Sequence, residues 1–73
     1  MVYKIHTRGE NIDAEFGQPL DFTRIFKGKY GDALKVAEEC LSLLDIGYVV
    51  VEADKPVYMA SKDIGKIWRS EIN

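Results

Sequence analysis

The chain has little of what secreted proteins and most enzymes are built from. Its one cysteine, Cys40, cannot form a disulfide within the chain, so packing alone must hold the fold and a reducing cytoplasm is the expected home. Its one histidine, His6, leaves no histidine pair for a metal. No segment has the roughly 20 consecutive apolar residues needed to cross a bilayer, and the apolar run from Gly47 to Val51 is strand-sized. The opening Met1-Val-Tyr-Lys-Ile-His shows neither the apolar core nor the cleavage site of a signal peptide. There is no repeat, low-complexity tract or linker. At 73 residues the whole sequence, 1–73, reads as one small domain with a thin core.

What is present points to a folded domain. Hydrophobic residues make up 47% of the chain, with four tyrosines, three phenylalanines and one tryptophan, too apolar for a disordered segment. The net charge of −2 is unevenly spread. Residues 1–31 carry five bases and four acids. Residues 32–54 carry Lys35 against Asp32, Glu38, Glu39, Asp45, Glu52 and Asp54. Residues 55–73 carry four bases and two acids. An acidic middle therefore lies between two mildly basic ends.

The spacing of Leu34, Ala37, Leu41 and Leu44, with Lys35, Glu38, Glu39, Ser42 and Asp45 on the other side, predicts an amphipathic helix over Asp32–Ile46. Asp32 suits its N-terminal dipole, and Gly47 reads as the left-handed residue that stops it. Strands surround the helix. Val2–Thr7 is followed by a turn at Arg8-Gly-Glu-Asn11 and a strictly alternating strand at Ile12–Phe16. Leu20–Phe26 alternates again, and Lys27–Gly31 reads as the loop into the helix. Tyr48–Ala53 is the most β-prone stretch, and Pro56 opens another strand through Ser61. The tail from Lys62 reads as a helix or as a hairpin. Gly65 tips it towards a turn at Lys62–Gly65 with a returning strand Lys66–Glu71, because glycine costs a helix interior about 1 kcal/mol. The expectation is an α+β domain: an antiparallel sheet of 5–6 strands, order β-β-β-α-β-β-β, with one helix on one face. Phe22, Val49, Val51 and Met59 are expected to point into the core. The other sheet face must then meet water or a partner.

No catalytic constellation is found, and no cofactor or metal is expected. Cys40 falls on the apolar side of the helix, where a small buried hydrophobe is the plain reading. His6 reads as a surface or edge residue of a strand. The glycines of Lys27-Gly-Lys-Tyr-Gly31 lack the Gly-Lys-Ser/Thr ending of a phosphate loop. Glu38 and Glu39 sit about 100° apart around the helix and cannot converge as an acid–base pair.

Two binding readings remain. Arg24, Lys27 and Lys29 interleave with Phe26 and Tyr30, and Lys55, Lys62, Lys66 and Arg69 surround Tyr58 and Trp68, as in platforms that stack single-stranded nucleic acid. The sequence pI near 5.3 argues against a dedicated nucleic-acid binder. A protein-binding module fits better. Tyr58, Lys66, Trp68 and Arg69 form the first candidate contact region, because Trp, Tyr and Arg dominate interface hot spots. An acidic surface of Asp32, Glu38, Glu39 and Asp45 is the second, suited to a basic partner. Self-association as a homodimer is the third possibility; a membrane partner is not expected.

The C-terminal third, from Tyr48-Val-Val-Val-Glu through Val57-Tyr-Met-Ala-Ser to Lys62-Asp-Ile-Gly-Lys-Ile-Trp68, resembles a pattern in small phage proteins. There a helix is followed by a strand, a short turn, an aromatic-bearing strand, a Lys-Asp/Glu-Gly-Lys type turn and a Trp-bearing strand. It is similar in this to one of the type I-F anti-CRISPR proteins, a curled antiparallel sheet with one helix. Ile64 interrupts the Asp-Gly turn, and the helix is acidic where such an inhibitor would be basic, so no functional residue is carried over. What the resemblance implies is a phage-type accessory protein that binds and modulates a host protein complex in the host cytoplasm. It also favours the hairpin for the tail.

Overall fold

The computed structural model describes residues 1–12 and 19–72. Among them the order is β1 (Val2–Glu10), β2 (Pro19–Lys27), α1 (Tyr30–Ser42), β3 (Ile46–Glu52), β4 (Pro56–Asp63) and β5 (Lys66–Glu71). The strands form one fully antiparallel sheet, β2-β1-β3-β4-β5, and α1 lies across β1, β3 and β4 on one side. This is an α+β layer pair, with two strands rather than three before the helix among the described residues. The strand expected over Ile12–Phe16 falls mostly outside them, and Ile12 itself lies in a turn.

Several boundaries differ from the sequence reading. Arg8, Gly9 and Glu10 continue β1 instead of turning. The helix begins at Tyr30, so the loop out of β2 is shorter than Lys27–Gly31. It ends at Ser42, well before Ile46. There the Leu43 and Leu44 amides donate to Cys40 and Leu41 in a tightened last turn, and the Asp45 N–H already donates to the Glu10 carbonyl at 2.8 Å. Gly47 therefore caps nothing. It is a strand residue with φ +147°, facing Gly9 across the β1–β3 ladder. A methyl group on Gly47 would stand 2.6 Å from the Gly9 Cα, and one on Gly9 would stand 2.7 Å from the Gly47 Cα. The two glycines let the backbones close.

The core lies between α1 and the central strands. Tyr3, Ile5, Val49, Val51, Tyr58 and Ala60 meet Ala33, Ala37, Cys40, Leu41 and Leu44. Alanines at 33 and 37 let the helix sit close to the sheet, and the Tyr3 and Tyr30 rings pack tilted with centroids 6.1 Å apart. Cys40 is buried, as its helical position suggested. Met59 is not in the core. It is paired with Val50 on the opposite side of the sheet and is exposed.

Thr7 shares the core side, 1% exposed, and its hydroxyl has no hydrogen-bond partner among the described residues. An unpaired buried hydroxyl forfeits its hydration without recompense. Thr7→Val, which keeps the shape and removes that group, is expected to stabilise the fold by about 1 kcal/mol. Urea denaturation of the two proteins checks this, and a Thr7→Val protein that unfolds at lower urea would contradict it.

The tail is a hairpin. Asp63 pairs with Lys66 around the two-residue loop Ile64-Gly65, both at positive φ, +28° and +81°. That loop geometry suits the sheet's twist, and Gly65 adopts it freely.

Candidate functional site

Strand alternation divides the sheet into a helix side and an open side, and no described element covers the open side. Reading the register across the strands, Trp68 lies beside Ser61, then Tyr48, Arg8 and Asp21. The next row runs Ser70, Met59, Val50, His6, Thr23. A sheet face turned to water is normally polar. This one carries Trp68 at 53% exposure, Ile25 at 64%, Met59 at 39% and Ile46 at 37%, with half-buried Tyr48 and Val50 between them.

Charge on the open side is compensated within the sheet. Lys4 faces Glu52, Arg8 faces Asp21 and Lys66 faces Asp63 across the ladders. Lys27 and Glu10, at opposite ends, complete four cations and four anions among the described strand residues. His6 is held at the centre: its Nδ1 lies 2.9 Å from the Thr23 hydroxyl and its Nε2 lies 3.6 Å from Glu52. Such a surface has no excess positive charge for a phosphate backbone. The basic and aromatic residues of the two sequence clusters are also separated. Arg24, Phe26 and Lys62 lie on the helix side, Lys27 and Lys66 on the open side, and the Tyr30 ring packs on Tyr3.

Alternation also divides the first candidate region. Lys66 and Trp68 lie on the open side, whereas Tyr58 and Arg69 lie on the helix side. Tyr58 is 6% exposed, and its hydroxyl donates to Glu38 Oε1 at 3.2 Å. Arg69 reaches from β5 to the same carboxylate, Nε to Oε1 at 2.5 Å and Nη2 to Oε2 at 3.0 Å. The second candidate region divides too. Asp32 and Glu39 are exposed on the helix, with Asp32 3.9 Å from Lys35. Glu38 is turned towards β5. Asp45 lies past the helix end, where its carboxylate accepts the Ile12 N–H at 2.6 Å.

The Arg69 hydrogen bond holds the Glu38 carboxyl below the usual carboxylate range, while burial, then the Glu38 charge, pushes the Tyr58 hydroxyl up. A lowered carboxylate pKa stabilises the fold above the unfolded value, near 4.3, and that contribution disappears as pH falls through the folded value. Both partners are well exposed, so screening keeps the effect below about 1 kcal/mol. Glu38→Gln is therefore expected to lower stability slightly at pH 7 and to converge on the parent in acid. Melting curves across that range check it, and a gap between the proteins that persists in acid would contradict it.

The open-side residues missed by sequence reasoning include Ile25, Ile46, Val50 and Met59. No family model, curated protein or solved structure matches the chain.

Proposed function

We propose that the chain is a non-catalytic protein-binding module that docks through the open side of its sheet, with Trp68 as the anchor and Tyr48, Met59 and Lys66 around it. The observation that carries this reading is the sheet face that no described element covers, with an exposed tryptophan on β5 and Met59, Val50 and Tyr48 on the next two strands. Exposed aromatic and apolar residues interspersed with serines and balanced charges are the composition of a contact region. Arg69 and Tyr58 act behind that surface by fixing β5 to the helix through Glu38. In keeping with the phage-like pattern of the C-terminal third, the partner is a host protein complex that the module inhibits or modulates. The helix's exposed acids, Asp32 and Glu39, are the secondary surface.

Charge balance on the open side favours protein over nucleic acid as the partner. Affinity capture from a bacterial lysate, with and without nuclease treatment and run in parallel with the parent and Trp68→Ala baits, tests this. One stoichiometric protein retained by the parent and lost by the variant is the expected result. Capture that vanishes with nuclease, or that both baits share equally, overturns it.

A further inference from the structure

Strand β5 ends the sheet, and its outer edge is a row of main-chain groups without partners among the described residues. The Ile72 N–H donates to the Val57 carbonyl at 2.9 Å. Counting back by twos, Ser70, Trp68 and Lys66 turn their main-chain groups to β4, while Ile67, Arg69 and Glu71 turn theirs outward. Edges of this kind are usually blunted by a proline, a bulge or charges that repel an incoming strand. In β5 there is neither proline nor register shift, and its outward residues Arg69 and Glu71 carry opposite charges on one face.

We infer that two copies of the chain pair antiparallel through β5, with Arg69 of each copy opposite Glu71 of the other and Ser70 at the two-fold axis. The register follows from parity and charge. Outward residues must face outward residues for main-chain bonds to form, which leaves registers two residues apart. Shifting one way sets Arg69 against its own copy; shifting the other sets Glu71 against its own copy. A shift that places Trp68 against its own copy leaves Glu71 opposite the turn. The proposed register alone makes both ion pairs, and it sets Trp68 of each copy opposite Ile72 of the other on the open side.

Both side chains keep capacity for this pairing. Arg69 spends Nε and Nη2 on Glu38, which leaves its other nitrogen for a second carboxylate. Glu71 makes no ion pair with any described residue. The helix lies over β1, β3 and β4, so β5 projects as a ledge beside it. A two-fold axis normal to the sheet keeps both helices on one side and joins the two open sides into a single surface. With four main-chain bonds and two ion pairs, the dimer is concentration-dependent rather than obligate.

Sedimentation equilibrium of the whole chain from micromolar to millimolar concentration tests the pairing. The mass is expected to climb from 8.3 kDa towards twice that value. Glu71→Lys, which sets like charges opposite each other, is expected to weaken the dimer about tenfold or more. Glu71→Pro removes an outward N–H and no bond to β4, so it is expected to abolish the dimer while melting like the parent. A mass that stays at 8.3 kDa throughout, or Glu71→Lys and Glu71→Pro proteins that dimerise as the parent does, overturns the inference. Neither variant alters the open side, so the capture experiment with Trp68 succeeds or fails independently.

Discussion

Gly47→Ala is expected to destabilise the domain by about 3 kcal/mol or more, enough to unfold much of so small a protein at moderate temperature. Two costs combine. The backbone at φ +147° disfavours any side chain, worth about 1–3 kcal/mol. The added methyl would also press on the Arg8 carbonyl and the Gly9 Cα, which are backbone and cannot move aside without opening the β1–β3 ladder. A methyl at Gly31, near the helix start, meets nothing within 4 Å. Gly31→Ala is therefore the internal control, expected to stabilise by about 0.5–1 kcal/mol. Urea denaturation of the three proteins decides the matter. A Gly47→Ala midpoint equal to the parent's would show that the two strands do not approach as described.

Trp68→Ala is expected to weaken partner binding by about 2 kcal/mol, close to 30-fold, while leaving stability within about 0.5 kcal/mol of the parent. The separation of the two effects follows from position. Trp68 is 53% exposed on the edge strand, on the side opposite the helix, so its removal opens no cavity in the core. Titration of the purified partner against both proteins, with thermal melts alongside, measures each effect. A protein that binds normally but melts early would make Trp68 a structural residue and remove the anchor.

The sequence carried the helix, its buried stripe and most strands, because amphipathic spacing and β-branched runs are local signals. The tail hairpin was legible for the same reason: Gly65 fits a two-residue turn and not a helix interior. Gly9 and Gly47 were misleading singly, one read as a turn and the other as a helix stop. Each is needed because the other faces it across 38 positions of sequence, and spacing cannot display that. The sequence pattern places Met59 in the core because β4 is apolar on both sides, with Val57 and Met59 alternating with Tyr58 and Ala60. A period of two separates the sides without saying which one the helix covers. The same ambiguity merged Tyr58 and Arg69 with Trp68 and Lys66 into one contact region. The ladder register, the burial of Tyr58 in the core and the Glu38 bridge, 31 residues from Arg69, tie the first pair to the helix side.

The most direct test of the open side as a contact surface uses the fact that Trp68 is the chain's single tryptophan. Protein labelled with 5-fluorotryptophan gives one fluorine resonance, to which an unlabelled partner adds nothing. The labelled chain should carry Glu71→Pro, so that self-pairing does not contribute. Adding the captured partner is expected to shift and broaden that resonance and to shield it from a soluble paramagnetic agent. A partner that binds at one-to-one stoichiometry while the resonance stays unshifted and equally accessible would contradict the account.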